Sequence, residues 1–184
     1  MKIIYRNPTA QPIKTVNEIR LLSNKFVHVF NDHVQFRDGS KGHYFRYNWN
    51  CDYGTCCIVE EDEYIYLLEI YRYQEQSWSI EIPQGFGEDG LSPEENMQKE
   101  CREELGLETI NLKKILTTSN GGIPVHLFKA TVDKQVEMKH ESGESIRHIL
   151  KANKEDCMNL ISSGRISDPN TIIGILYFIN NYND

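Results

Sequence analysis

The chain has 184 residues, enough to bury one good core, and its 39% hydrophobic and 26% charged residues are ordinary for a soluble globular domain. A formal net charge of −7 without a clustered basic stretch argues against binding of long nucleic acids, whose affinity comes mainly from Lys and Arg on phosphates. Five cysteines with no paired C-x-x-C spacing, and six histidines with no H-x-x-x-H array, argue against a disulfide framework or a zinc site and for reduced thiols in a cytosolic compartment.

The amino terminus, MKIIYRNPTAQ, lacks the apolar stretch of a signal peptide. The longest apolar run, Thr171 to Ile179, is too short to span a bilayer, so a cytoplasmic protein with no membrane partner is expected. Residues 26 to 49 read as strands around turns: FVHVF, HVQF, the hairpin signal Asp38-Gly39, then HYFRYNW. Residues 55 to 59 and 64 to 72 form a further strand pair joined by the acidic run Glu60 to Glu63, read as a solvated hairpin tip; Cys56-Cys57 falls in the apolar strand and is predicted core. Short strands are predicted near 112 to 118 and 125 to 133, then a polar loop from about 134 to 143. A helix near 154 to 163 ends at Gly164, and a second begins at Asp168-Pro169 with a buried stripe of Ile172, Ile173, Leu176 and Ile179. The order predicts an α/β fold: a mixed sheet with helices on its faces.

Between these halves lies the most informative segment, GFGEDGLSPEENMQKECREELGL, residues 85 to 107. Ser92 is placed to cap a helix, Pro93 fits the first helical position, Glu95 completes a capping box, and Gly106 closes the helix in a left-handed conformation, so the helix is predicted over about 93 to 105. Met97, Cys101 and Leu105 form the apolar stripe, while Glu100 and Glu104, one turn apart, share a neighbouring face. Like charges at that spacing repel, and an acidic cluster accompanied by only Lys99 and Arg102 calls for a compensating cation. A hard, oxygen-seeking ion, Mg2+ or Mn2+, meets that demand.

With its flanks the segment resembles the Nudix box, G-x5-E-x7-R-E-U-x-E-E-x-G-U, where U is aliphatic. Gly85 takes the first position, Glu100 that of the first metal-ligand acid, Cys101 the U, Glu103 and Glu104 the paired acids, and Gly106-Leu107 the ending. Two positions depart: Leu91 stands where the box has its first Glu, and Lys99 where it has Arg. Over roughly 26 to 182 the chain is similar to the ADP-ribose pyrophosphatase branch of that family. IYRYQEQSWSIEIPQG (70 to 85) matches the branch's lead into the box, with Arg72 and Glu81 at corresponding positions. Glu144-Ser-Ile-Arg and Gly164-Arg-Ile-Ser-Asp168 look like its E-x-I ending and G-x-I-x-D tail. Where many members carry a Pro-Gly turn followed by an acid, this chain reads Ser119-Asn-Gly-Gly-Ile-Pro124.

The resemblance implies a Nudix α/β/α sandwich with a mixed β-sheet. Residues 51–184 would form the hydrolase domain, and residues 1–50 an N-terminal β extension that pairs two copies into a homodimer through Phe45, Tyr47 and Trp49. It implies cleavage of a nucleoside diphosphate linked to another moiety, ADP-ribose being favoured, with nucleotide sugars such as UDP-glucose or GDP-mannose, dinucleotides, or a non-catalytic nucleotide-binding module as alternatives. The chemistry requires charge on the diphosphate to be neutralised before water attacks, which Mg2+ (or Mn2+) held by carboxylates accomplishes. Glu100 and Glu104 are the expected direct ligands, Glu103 a ligand or an orienter of bound water, and the Gln84 carbonyl a further ligand. Gly85 and Gly87 would let the main chain approach metal and diphosphate. Arg72 is the candidate phosphate contact. Glu81 either assists binding or ends a strand. The general base is expected at Glu144, then Glu141, with Glu144 also a metal candidate.

Overall fold

The computed structural model describes residues 12–138 and 145–180. It divides into two units, Met1–Asn50 and Cys51–Asp184. In the first, β3 (Val27–Gln35) pairs along its whole length with β4 (Lys41–Trp49), while the short β1 (Lys14–Asn17) and β2 (Arg20–Ser23) follow one another along its other edge, all antiparallel. The runs FVHVF and HVQF, predicted as separate strands, are thus one continuous β3, and the turn at Asp38-Gly39 closes the β3–β4 hairpin. There the Asp38 carboxylate accepts from Ser40 N–H at 3.0 Å and Gly39 has φ 84. Buried Asp32 secures the unit, accepting from Arg46 Nε at 2.6 Å and from Ile19 N–H at 3.1 Å, while the Arg46 guanidinium lies 3.7 Å from the centre of the Phe30 ring. On β4, Tyr44, Phe45 and Tyr47 are exposed.

The second unit is built on a seven-stranded mixed sheet, whose path runs β11 (Ile146–Ala152), β6 (Tyr64–Arg72), β5 (Gly54–Glu61), β10 (Ile123–Gln135), β9 (Leu107–Asn120). The β5–β10 pairing is parallel and the others antiparallel. Two short strands, β7 (Ser77–Glu81) and β8 (Gln84–Phe86), pair with β6 and β5. A strand covered on both faces reads as a continuous apolar run, and Thr55-Cys-Cys-Ile-Val59 obeys this. Cys56 and Ile58 join the core under helices α2 (Lys154–Ser162) and α3 (Pro169–Asn180), with Ile65, Leu67, Ile80, Ile82, Ile175 and Phe178. Cys57 and Val59 join the opposite core with Leu68, Phe128 and the Met97, Cys101 and Leu105 stripe of α1 (Pro93–Leu105). Burial pushes the thiols up, that of Cys56 to about 12 and that of Cys157 to about 11, so both stay protonated near neutrality.

Helix α1 forms as its sequence dictates. Ser92 Oγ accepts from Glu95 N–H at 3.2 Å, Glu95 returns a carboxylate to Ser92 N–H at 2.9 Å, and Gly106 ends the helix at φ 66, donating its N–H to the Arg102 carbonyl. The strands after it are longer than predicted, β9 and β10 meeting in a two-residue hairpin at Gly121-Gly122, both at positive φ. Among the described residues no helix is long and apolar enough to cross a membrane.

Candidate active site

The site is assembled around the turn from β7 into β8. Cys57 N–H donates to the Pro83 carbonyl at 3.0 Å, and β8 lies on β5 with Gly85 opposite Thr55. From the helical side, Asp168 caps α3, accepting from Thr171 N–H and Thr171 Oγ1 at 2.7 Å each, and the Thr171 oxygen accepts from Ile82 N–H at 3.2 Å. Asp168 was legible in the sequence as a cap. That it reaches the site through buried Thr171 was not, because the partner lies 89 residues from Ile82.

Two of the expected metal-site acids face this turn. Glu104, 1% exposed, accepts from Gln84 N–H at 3.0 Å, and Glu100, 8% exposed, packs against Gly85. A Cβ on Gly85 would stand 2.0 Å from Glu100 Oε1, so only glycine leaves that carboxylate its place. Gly87 serves another neighbour: a Cβ there would meet the Tyr53 ring at 2.7 Å, and its N–H donates to the Tyr53 carbonyl at 2.8 Å. Glu103 turns away along the helix, where its carboxylate accepts from Lys99 Nζ at 2.6 Å; the same ammonium donates to Glu88 at 2.6 Å. Partial burial pulls the Lys99 ammonium down, but those two acids outweigh it and hold its pKa above the ordinary value. Among the described residues, no three His, Cys, Asp or Glu side chains gather as they would around an ion, so Glu100, Glu103 and Glu104 do not converge on one point.

Arg72 and Glu81 come together rather than standing apart. The guanidinium forks onto the carboxylate, Nε to Oε1 at 2.9 Å and a terminal nitrogen to Oε2 at 2.6 Å, and Gln84 Nε2 also donates to Glu81 Oε2. Burial pushes the Glu81 carboxyl up, yet the Arg72 fork more than offsets it and the group lies below its usual range. Burial raises the nearby Asp168 carboxyl. Glu141 and Glu144, the expected bases, lie outside the described residues.

The sequence reading also passed over Asn96, Tyr53 and Glu88. Asn96, fully buried, ties the glycine-rich loop down: its amide nitrogen donates to Thr55 Oγ1 at 3.0 Å and to the Phe86 carbonyl at 3.2 Å, and its oxygen accepts from Glu88 N–H at 3.2 Å. An Asn inside a helix is unfavourable by propensity, which was the one signal available. Tyr53 donates its hydroxyl to the Leu91 carbonyl at 2.7 Å.

The donor set suits a hard divalent cation. Mg2+ takes one or two carboxylates, several waters and substrate phosphate rather than a full protein cage. Two buried carboxylates at a glycine turn, Glu100 against Gly85 and Glu104 on the Gln84 N–H, with the Arg72–Glu81 pair joined to the same Gln84, match that requirement.

The fold as a whole is similar to a crystal structure of an ADP compounds hydrolase, at TM-score 0.80 over 94% of each chain and 14% identity. In sequence, the chain is 32% identical over 114 residues to the ADP-ribose pyrophosphatase of Haemophilus influenzae, a match covering 57% of this chain and 52% of that protein, so it spans about half the length of its relative. Residues 52–156, more than half the chain and including the turn, helix α1 and the strands that carry the site, match the NUDIX domain model, and the chain belongs to that family.

Proposed function

We propose that the protein is a Mg2+-dependent pyrophosphohydrolase that cleaves the diphosphate bond of ADP-ribose to give AMP and ribose 5-phosphate. The observation that carries this reading is the pair Glu100 and Glu104, buried one helical turn apart against the Gln84-Gly85 turn. Two carboxylates held side by side are the kind of donors that bind a hard divalent cation, and such a cation neutralises the charge of a diphosphate before water attacks it. The name of the Haemophilus influenzae relative supports ADP-ribose as the substrate.

In this reading Glu100 and Glu104 would hold the cation, with the Gln84 main chain beside them, and Glu103, held by Lys99, would orient water. When bound, the metal neutralises the phosphate oxygens and lowers the pKa of a coordinated water. Arg72, with its fork set by Glu81, offers its remaining guanidinium edge to a phosphate oxygen. Glu144, then Glu141, is assigned the general base. The exposed Phe45 and Tyr47 of β4 are assigned to a homodimer contact.

The test is to incubate the purified protein with ADP-ribose, UDP-glucose, GDP-mannose, NADH and diadenosine polyphosphates, with and without Mg2+ or Mn2+, and to measure nucleotide products. Metal-dependent AMP release from ADP-ribose, lost in Glu144→Gln, is expected. Preference for a nucleotide sugar would reassign the leaving group, and silence with both metals would sink the enzymatic reading.

A further inference from the structure

At the two positions where the chain departs from the Nudix box, the box pairs an acid on the loop with a base on the helix, charges that can bridge the two. This chain carries Leu91 and Lys99 there instead. The bridge nevertheless exists. Residues 88 to 91 form a β-turn in which Leu91 N–H donates to the Glu88 carbonyl at 3.2 Å and Gly90, the third residue, has φ 86. A β-turn brings its first and fourth residues within about 7 Å, so an acid at 88 reaches the same ground as an acid at 91. Glu88 Oε1 indeed accepts from Lys99 Nζ at 2.6 Å, and that ammonium donates to Glu103 Oε2 at 2.6 Å.

We propose that Glu88 is a positioning residue of the active site, which through Lys99 fixes Glu103 and so takes over the role of the acid missing at Leu91. The proposal rests on the metal-dependent reading above. Its physical basis is the difference between the two basic side chains. A guanidinium is a planar fork that one carboxylate can orient, whereas an ammonium is a compact charge with three rotatable donors on a flexible stem. Carboxylates on two sides, one from the loop and one from the helix, give Lys99 a defined place. The same contact fastens the loop to α1 beside the Asn96 anchor, leaving the Leu91 main chain to receive the Tyr53 hydroxyl.

The experiment compares the parent protein with Glu88→Gln, Leu91→Glu and the double variant E88Q/L91E. It reads Mn2+ affinity by calorimetry without substrate, kcat and KM on the diphosphate the parent cleaves, and melting temperature. Glu88→Gln is expected to weaken Mn2+ binding and lower kcat by about tenfold each, the lower end for groups that orient metal ligands, with KM changed by less than about twofold. E88Q/L91E is expected to recover both to within about threefold of the parent, because the acid returns at the other corner of the turn. Parent-like Mn2+ affinity in Glu88→Gln, or no recovery in the double variant, would overturn the proposal. If the parent cleaves none of the substrates, the functional reading fails while the Mn2+ comparison still decides this one; a parent that binds no Mn2+ overturns both. Should Glu88→Gln melt below the assay temperature, Glu88→Asp, shorter by one methylene, carries the same comparison with a smaller expected loss.

Discussion

Two buried glutamates on opposite faces of one sheet bear their charge in different ways. Glu69, 4% exposed on the face of β6 that α2 and α3 cover, is gripped by cations. Arg147 forks onto it at 2.7 and 2.9 Å, His148 Nδ1 lies at 2.7 Å and Arg165 at 3.2 Å, while the Arg147 guanidinium also rests 4.2 Å from the centre of the Trp78 ring. Those hydrogen bonds hold the Glu69 carboxyl down at about 2. Glu104, buried as deeply on α1, accepts a main-chain N–H from the turn where the reaction is proposed to run. The first acid staples β6, β11 and the segment after α2 together, whereas the second ties a helix to a turn. Burial alone therefore does not mark a functional acid; what the acid is aimed at does.

The sharpest way to break that comparison is to neutralise each acid in turn. Glu104→Gln keeps the shape and removes the charge, and should lower kcat/KM by about 1000-fold, roughly 4 kcal/mol of transition-state stabilisation, with the melting temperature little changed. Glu69→Gln should do the reverse, leaving kcat/KM near the parent value and destabilising by about 2 kcal/mol, roughly 5 °C in melting temperature. Near-normal turnover in Glu104→Gln would refute the metal assignment. Gly85→Ala tests the same site from the main chain. Its methyl group would occupy the place of the Glu100 carboxylate, and a displacement of about 1 Å there is expected to cost on the order of 100-fold in kcat, with circular dichroism unchanged.

The contrast extends to pH. A carboxyl depressed from its ordinary 4.5 to about 2 in the folded chain binds fewer protons than in the unfolded chain between those values. The stability Glu69 contributes is thus fully present above about 4.5 and is lost as pH falls toward 2. Melting curves taken through that interval should show a decline in the parent that is shallower in Glu69→Gln. Identical slopes would mean that the cations around Glu69 do not stabilise its ionised form.

Which of these features the sequence displayed follows from the range of the interactions that build them. Helix α1 was legible to the residue because its cap, box, stripe and terminal glycine all lie within fifteen residues, from Ser92 to Gly106. The two-sided burial of β5 was legible from its unbroken apolar run. The joining of Glu69 to Arg147 and Arg165 spans 78 and 96 residues, that of Asn96 to Thr55 spans 41, and no local pattern announces either. The acids of α1 show the division within one motif. Their residue types and spacing were readable, but the Lys99 bridge from Glu103 to Glu88 was not, because the β-turn brings Glu88 near only in three dimensions.

The smallest expected effect separates anchoring of the helix from aiming of its acids. Ser92→Ala removes the side chain that accepts from Glu95 N–H and should destabilise the protein by about 1 kcal/mol. It should leave kcat within about twofold of the parent, because such caps act within the first turn, while Glu100 and Glu104 lie two and three turns further on and are held by the burial of Cys101 and Leu105 beside them. Glu88→Gln, by contrast, touches an exposed side chain and should cost little stability while lowering kcat. Measured side by side, the two substitutions distinguish general support of α1 from the Lys99 bridge. If Ser92→Ala lowered kcat as much as Glu88→Gln, the orientation of the acids would depend on the helix end as a whole, and the bridge would have no separate part in setting it.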